Sequence, residues 1–466
     1  MANVTSGGAP VLPRWARLLD ALGVGLILIG LSISATGGFR EWTPLGRISI
    51  TSWMRPVIIG AIVLFVRHWI CRRPSIVQRI VTAVRSRRPS DESRIIWPVF
   101  LSTRLGVLVV GFLGVALIGY APNTPPWRVY ANEFLNLPAR WDTGWYLGIA
   151  LDGYQWEASR GSTQQNIAFF PLFPMLMRYS SLFFARQLTW VGVLISFVSF
   201  FFALRYVFRF TRAHVGEPSA AATVGLLATY PFALFYSTAY TEALFLLTSV
   251  AACYHFERDE RWKAAVWGIA AGLTRPNGCL LSIVLSLLAF RKYWDTRDRR
   301  SFFLQVAVAA APGVGMLLYS TFIYSLTGNA LQWAEQNAAW GRVYRGVDAL
   351  VDERIAFVQQ YGLYDYASTR TLDLIYSLAL IFMLVSVWPV YRRLGVPYAA
   401  LILLNVLPPL VMGGLLSMGR VTAVVFPTFV WLGAAVPERH RWGWLVGFAM
   451  LQALCAIAFF TWRPVY

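Results

Sequence analysis

Stretches of about twenty apolar residues recur along the whole chain, and no other feature limits the fold so tightly. A hydrocarbon core about 30 Å thick takes about 20 such residues per helix. Only helices and closed barrels satisfy their backbone groups in that medium. The stretches predict membrane helices at about 19–37, 53–71, 95–119, 188–208, 220–236, 239–256, 303–326, 372–391, 396–413, 420–436 and 442–461. Only 14% of the 466 residues are charged while 57% are hydrophobic, too few charges to cover a water-facing surface. The expected class is an all-α polytopic membrane protein.

The stretch 262–290 is interrupted by Thr274, Arg275, Pro276, Asn277 and Gly278. One straight helix would bury an Arg and a Pro near mid-membrane. Two short helices, 262–274 and 277–290, meeting at a turn let Arg275 face a protein-lined cavity. The total is then about 11–13 membrane segments.

The formal charge of +19 is spread in a way that excludes nucleic acid. No basic face belongs to a soluble domain. The basic residues instead cluster in short loops, such as Arg72, Arg73, Arg79, Arg85, Arg87, Arg88 and Arg94, or Arg291, Lys292, Arg297, Arg299 and Arg300. Loops of that kind face the cytoplasm. Two long loops, about 120–187 and 327–371, then fall on the opposite, extracytoplasmic face, and loops of such length usually carry function. Within the first, Phe169 to Arg178 is apolar but too short and Pro-rich to span, which suits an interfacial helix. The organisation reads as an N-terminal two-helix extension (1–94), a membrane domain (95–436) and a C-terminal helix (437–466). Lysine supplies only Lys263 and Lys292 of the 41 basic residues, a bias of GC-rich genomes that points to a bacterial inner membrane. In a eukaryote the expected site is the endoplasmic reticulum membrane.

The four cysteines (Cys71, Cys253, Cys279, Cys455) have no metal-ligand spacing and read as small buried residues. The four histidines form no HxxxH pair.

The strongest local signal is the run Arg140-Trp141-Asp142-Thr143-Gly144-Trp145-Tyr146, followed by Phe169-Phe170-Pro171-Leu172-Phe173-Pro174. A carboxylate at the membrane surface beside aromatic rings can take a proton from a hydroxyl while the rings hold a sugar face. An aspartate is ionised at neutral pH, as a base must be. Equally, Asp142 can simply cap a helix begun at Thr143 or pair with Arg140.

The string from Arg140 through Tyr154, with the Phe-Phe-Pro run after it, resembles the PIG-V mannosyltransferase family and its bacterial relatives, within the GT-C superfamily of polytopic glycosyltransferases. Further matches follow in family order: Tyr230-Pro231-Phe232 through Tyr240-Thr241-Glu242, then Thr274-Arg275-Pro276-Asn277-Gly278, then Met418-Gly419-Arg420. The resemblance covers roughly 95–436. It implies a GT-C-like bundle and a polyprenyl- or dolichyl-phosphate-linked sugar donor, commonly mannose. It implies inverting transfer outside the cytoplasm to a glycolipid, glycan or protein acceptor. Asp142 is then the catalytic base. Arg275 and Arg420 are candidates for the lipid phosphate, because a guanidinium makes charged, forked hydrogen bonds. Each can alternatively pair with an acid such as Glu242. Arg140, Tyr146, Tyr240, Glu242 and Asn277 complete the substrate-binding candidates. No DxD pair occurs in the first long loop, so a metal-free mechanism without cofactor is expected. The charged residues of the second long loop, Arg342 among them, form no recognised motif. The alternative function is a transporter or flippase of lipid-linked sugars, which would show paired repeats and ionisable residues near the midplane.

Overall fold

The computed structural model describes residues 13–36, 39–43, 46–50, 52–71, 91–181, 187–344 and 346–465. The basic loop expected at 72–94 falls mostly outside them. The chain divides into two compact units, Met1–Ser93 with Arg178–Leu188, and Arg94–Met177 with Thr189–Tyr466.

The first unit holds α1 (Arg14–Thr36) and α2 (Met54–Ile70), joined through a short antiparallel hairpin of β1 (Phe39–Thr43) and β2 (Gly46–Ile50). That hairpin is the departure from an all-helical chain among the described residues. Arg67 and Asp20 form a buried ion pair between the two helices at 2.7 Å. A charge in such apolar surroundings needs a partner, because desolvation otherwise costs several kcal/mol.

The second unit is helical. It holds most of α3 (Asp91–Leu117), α4 (Thr143–Asp152), α5 (Leu172–Ser181) as far as Met177, α6 (Leu188–Val215) from Thr189 and α7 (Glu217–Thr229). Next come α8 (Glu242–Glu257), α9 (Arg261–Thr274), α10 (Leu281–Thr296), α11 (Arg299–Ala309) and α12 (Ala311–Thr327). The rest is α13 (Gln332–Glu335), α14 (Val347–Thr369), α15 (Thr371–Leu394), α16 (Val396–Gly413), α17 (Met418–Ala423), α18 (Phe426–Ala435) and α19 (Glu438–Phe460). Among the described residues six helical spans are long and apolar enough to cross a membrane, seven if a bent pair is one span. Several carry apolar stripes turned away from the protein. Leu101, Leu105, Val109, Leu113 and Leu117 of α3 are all exposed, as are Trp442, Val446, Met450 and Leu454 of α19. A four-residue spacing puts each set on one helix face, and on helices of this length and composition lipid makes such a face favourable. The chain is a multi-pass membrane protein.

At the centre lies α8, buried along its whole length apart from Tyr254 and Glu257. Between Glu242 and His255 it carries no charged residue and is largely apolar on every face, the pattern of a helix enclosed on every side.

Two expected straight helices are broken. The stretch 220–236 bends by 79° between α7 and a 3-10 segment, Pro231–Ser237. Pro231 supplies no N–H and pushes Tyr230 out of the helical region, to φ −50° and ψ 140°. The orphaned carbonyls are met from other helices. Arg104 of α3, wholly buried, donates from Nη2 to Ala228 O at 2.7 Å and from Nη1 to Ala233 O and Ser237 Oγ. Gln452 of α19 donates to Ala228 O and Tyr230 O at 3.1 and 3.0 Å. The stretch 420–436 breaks likewise ahead of Pro427, leaving Arg420 on the six-residue α17.

The interrupted stretch 262–290 does form two helices. α9 ends at Thr274, and a 3-10 turn, Pro276–Leu280, leads into α10. Gly278 is required by close approach: a Cβ there would lie 2.0 Å from Ala271 O. The second long loop is largely helical, since α14 occupies 23 of its residues, kinked at Gly362 where φ is 88°.

Candidate active site

Asp142 stands at the N-cap of α4, yet its side chain makes no capping bond. Arg140 does not take it either. The Arg140 guanidinium, fully buried, donates to Phe460 O, Asn136 O and Ala139 O at 2.8, 2.7 and 2.9 Å. Between them Trp141 takes a left-handed φ of 46°, rare for a bulky residue, with its ring against Trp462 at 4.9 Å. This reversal sends residues 140 and 142 to different surroundings. The backbone N–H of Asp142 donates to Tyr240 Oη at 3.0 Å.

The Asp142 carboxylate pairs instead with Arg420 Nη1, and keeps 20% of its side-chain surface exposed. Arg420 Nε donates to Glu242 Oε1 at 2.6 Å, and Arg275 Nη1 meets the same oxygen at 3.0 Å. Glu242 has no exposed side-chain surface, and its Oε2 has no hydrogen-bond partner among the described residues. A buried carboxylate shared by two guanidiniums positions them; it is the half-open Asp142 that can reach a substrate. The Arg420 guanidinium also lies over the Tyr240 and Phe235 rings at 4.6 and 5.6 Å, a cation–π arrangement that holds it in place.

Aromatic rings line the first long loop. Tyr146 packs edge-on against Phe169, Phe173 and Tyr240 at 5.1, 5.2 and 6.3 Å. Burial pushes its hydroxyl up to about 12, so it serves as a neutral donor. Trp145 stacks on Phe169 at 5.8 Å and meets Trp340 of the second loop edge-on at 5.0 Å. Phe169 is fixed from behind, because Tyr154 and Tyr319 donate to its carbonyl at 2.7 and 3.1 Å.

The structure therefore brings Asp142, Tyr146, Tyr240, Glu242, Arg275 and Arg420 into one cluster. Arg140 is engaged elsewhere, and Asn277 donates to Asn405 Oδ1 at 2.7 Å on the far side of the Arg275 turn. The sequence reading missed Trp340, and it named Arg342 only among the motifless charges of the second loop. Arg342 has Arg420, Arg275 and Asp142 as its charged neighbours. The only available signal was the length of their loop. Among the described residues no group of three His, Cys, Asp or Glu side chains is placed to hold a metal ion.

Comparison with known proteins gives a family similarity first. Residues 123–327 match the family model described as Mannosyltransferase (PIG-V). A particular relative is GPI mannosyltransferase 2 of Schizosaccharomyces pombe, 25% identical over 185 residues, which are 38% of each chain. The family match spans the first three of the four motifs, while Met418-Gly419-Arg420 lies beyond it, and the chain matches less than two fifths of that relative's length. Among solved structures, ArnT of Cupriavidus metallidurans bound to undecaprenyl phosphate aligns with a TM-score of 0.44 at 14% identity, over 77% of this chain and 64% of that one. The oligosaccharyltransferase of Archaeoglobus fulgidus aligns with a TM-score of 0.38 at 18% identity, over 77% and 53%.

Proposed function

We propose that the chain is a membrane glycosyltransferase of the GT-C type that moves a sugar, by family resemblance mannose, from a polyprenyl or dolichyl phosphate to an acceptor hydroxyl. The observation that carries this reading is the half-open Asp142 carboxylate ion-paired to Arg420, which buried Glu242 holds from behind. In the reaction the acceptor oxygen attacks the anomeric carbon and its proton passes to Asp142. The bond from that carbon to the phosphate oxygen breaks, and the electron pair leaves with the lipid phosphate beside the cluster's cations. Fixed charges aimed at developing charge are the main way a protein lowers such a barrier. Attack opposite the departing phosphate inverts the anomeric centre. The partly exposed rings of Trp145 and Phe169 offer apolar faces to the sugar, with buried Tyr146 packed behind them.

The two ends of α8 support an extracytoplasmic site. Glu242 opens it in the acidic and arginine cluster, and Arg258, Arg261 and Arg291 gather at its other end, where Arg291 lies 3.8 Å from Glu257. Sixteen residues separate these ends by about 24 Å. The excess of arginine at that end favours it as the cytoplasmic one.

The test is Asp142→Asn in liposomes supplied with radiolabelled mannosyl polyprenyl phosphate and a panel of acceptors. Transfer is lost and lipid-phosphate binding kept. Full transfer by the variant removes Asp142 from the mechanism. Wild-type protein that translocates the lipid and transfers no sugar supports the transporter instead.

A further inference from the structure

Three guanidiniums and two carboxylates meet at the site, and two of the guanidiniums are already engaged. Arg420 gives Nε to Glu242 and Nη1 to Asp142, and Arg275 gives Nη1 to Glu242. The third, Arg342, makes no side-chain hydrogen bond or ion pair among the described residues. A tight turn delivers it. The 3-10 segment Gln336–Trp340 ends at Gly341, where φ is 75°, and the Arg342 N–H then bonds Asn337 O at 3.2 Å. From there its side chain runs along Gly413, with Cγ and Nη1 3.5 and 3.8 Å from where a Cβ of that glycine would sit.

Burial, and then the like charges of Arg420 and Arg275, pull Arg342 down to about 10, and Asp142 opposes them. It remains charged at neutral pH. A half-buried cation with two others among its charged neighbours is an unfavourable arrangement that an incoming anion relieves. Three cations against two carboxylates leave one positive charge over, which a phosphodiester monoanion cancels. The same turn leaves the buried indole Nε1–H of Trp340 without an acceptor among the described residues. Buried donors are nearly always satisfied, so this one also awaits a ligand.

We propose that Arg342 binds the phosphate of the lipid-linked donor and keeps hold of it as the sugar departs. This rests on the glycosyltransferase reading of the same site. Arg420 and Arg275 then shape the charge around Asp142, and the forked guanidinium of Arg342 supplies the direct hydrogen bonds.

Farnesyl phosphate and farnesol, which share a chain and differ in the phosphate, are the probes, titrated against the purified full-length protein in nanodiscs. The wild type prefers the phosphate by at least about ten-fold, roughly 1.4 kcal/mol. Arg342→Gln brings that ratio close to one with farnesol affinity unchanged, and Arg342→Lys restores part of it. A variant that keeps the full preference overturns the assignment and leaves the proposed activity standing. A wild type with no preference overturns both. Hydrogen exchange on the wild type gives a reading independent of any variant's folding: farnesyl phosphate protects the segment around 336–344 and farnesol does not. Equal protection by both ligands also overturns the assignment.

Discussion

Replacing Glu242 by Gln tests whether this residue acts through the guanidiniums it holds. The substitution keeps size and one acceptor and removes a charge with no exposed surface, whose Oε1 serves Arg420 at 2.6 Å and Arg275 at 3.0 Å. Taking one partner from a buried ion pair costs about 3–5 kcal/mol. The lower end applies, since Asp142 still neutralises Arg420, and Arg275, 14% exposed, still has some access to solvent. Arg275→Gln removes the more exposed partner and leaves the Arg420 pair intact, at about 1–2 kcal/mol. The double variant strips one charge of each sign, so its cost falls short of the sum by about 1 kcal/mol or more. Unfolding by SDS titration in mixed micelles measures all three. Transfer by Glu242→Gln drops about a hundred-fold as Arg420 loses its orientation, with farnesol affinity unchanged. Additive costs, or full transfer by the single variant, would refute the positioning argument.

Arg104→Gln leaves Ala233 O and Ser237 Oγ without their buried donor and costs about 3 kcal/mol in the same titration; a loss under about 1 kcal/mol would mean the broken helix satisfies itself. Gly278→Ala puts a methyl 2.0 Å from Ala271 O, costs about 1–3 kcal/mol and lowers transfer by displacing Arg275; unchanged activity and stability would show that the turn can open freely. Arg140→Gln, which removes the donor to Phe460 O, Asn136 O and Ala139 O, lowers the yield of folded protein by weakening it about 2–3 kcal/mol. Its KM for donor stays at the wild-type value, and a selective rise in that KM would return Arg140 to the substrate site.

The apolar stretches made most of the helices legible, because lipid imposes a length and a composition that soluble packing does not. The paired helices around Arg275 were legible too, from one Arg and one Pro that a continuous span would not tolerate. Breaks at Tyr230–Pro231 and before Pro427 were missed, although proline marks both. Their cost depends on who supplies the missing donors, and the answers, Arg104 and Gln452, sit on distant helices. Arg104 itself gave a signal that went unused, an arginine in the middle of an apolar stretch. α14 has no clear apolar stripe and buries only Leu350 and Tyr366, so no spacing of residues marked a helix where only a loop was expected. In the site, neighbours in sequence misled. Arg140 looked like the companion of Asp142, but the left-handed Trp141 turns them apart, and no pattern of residue types announces such a φ. The partner came from position 420 instead.

The latches on the broken helix and on residue 140 have a bearing on biogenesis. Ala228 and Tyr230 receive Gln452 from 224 and 222 positions later, and Arg140 closes on Phe460 across 320. A ribosome delivers those partners long after the segments they steady have entered the bilayer. Until then the bend ahead of Tyr240 and the loop carrying Asp142 lack part of their support. The charge cluster is thus framed only once α19 has been made, and a nascent chain stalled before α19 carries every residue of the cluster without the frame that aligns it.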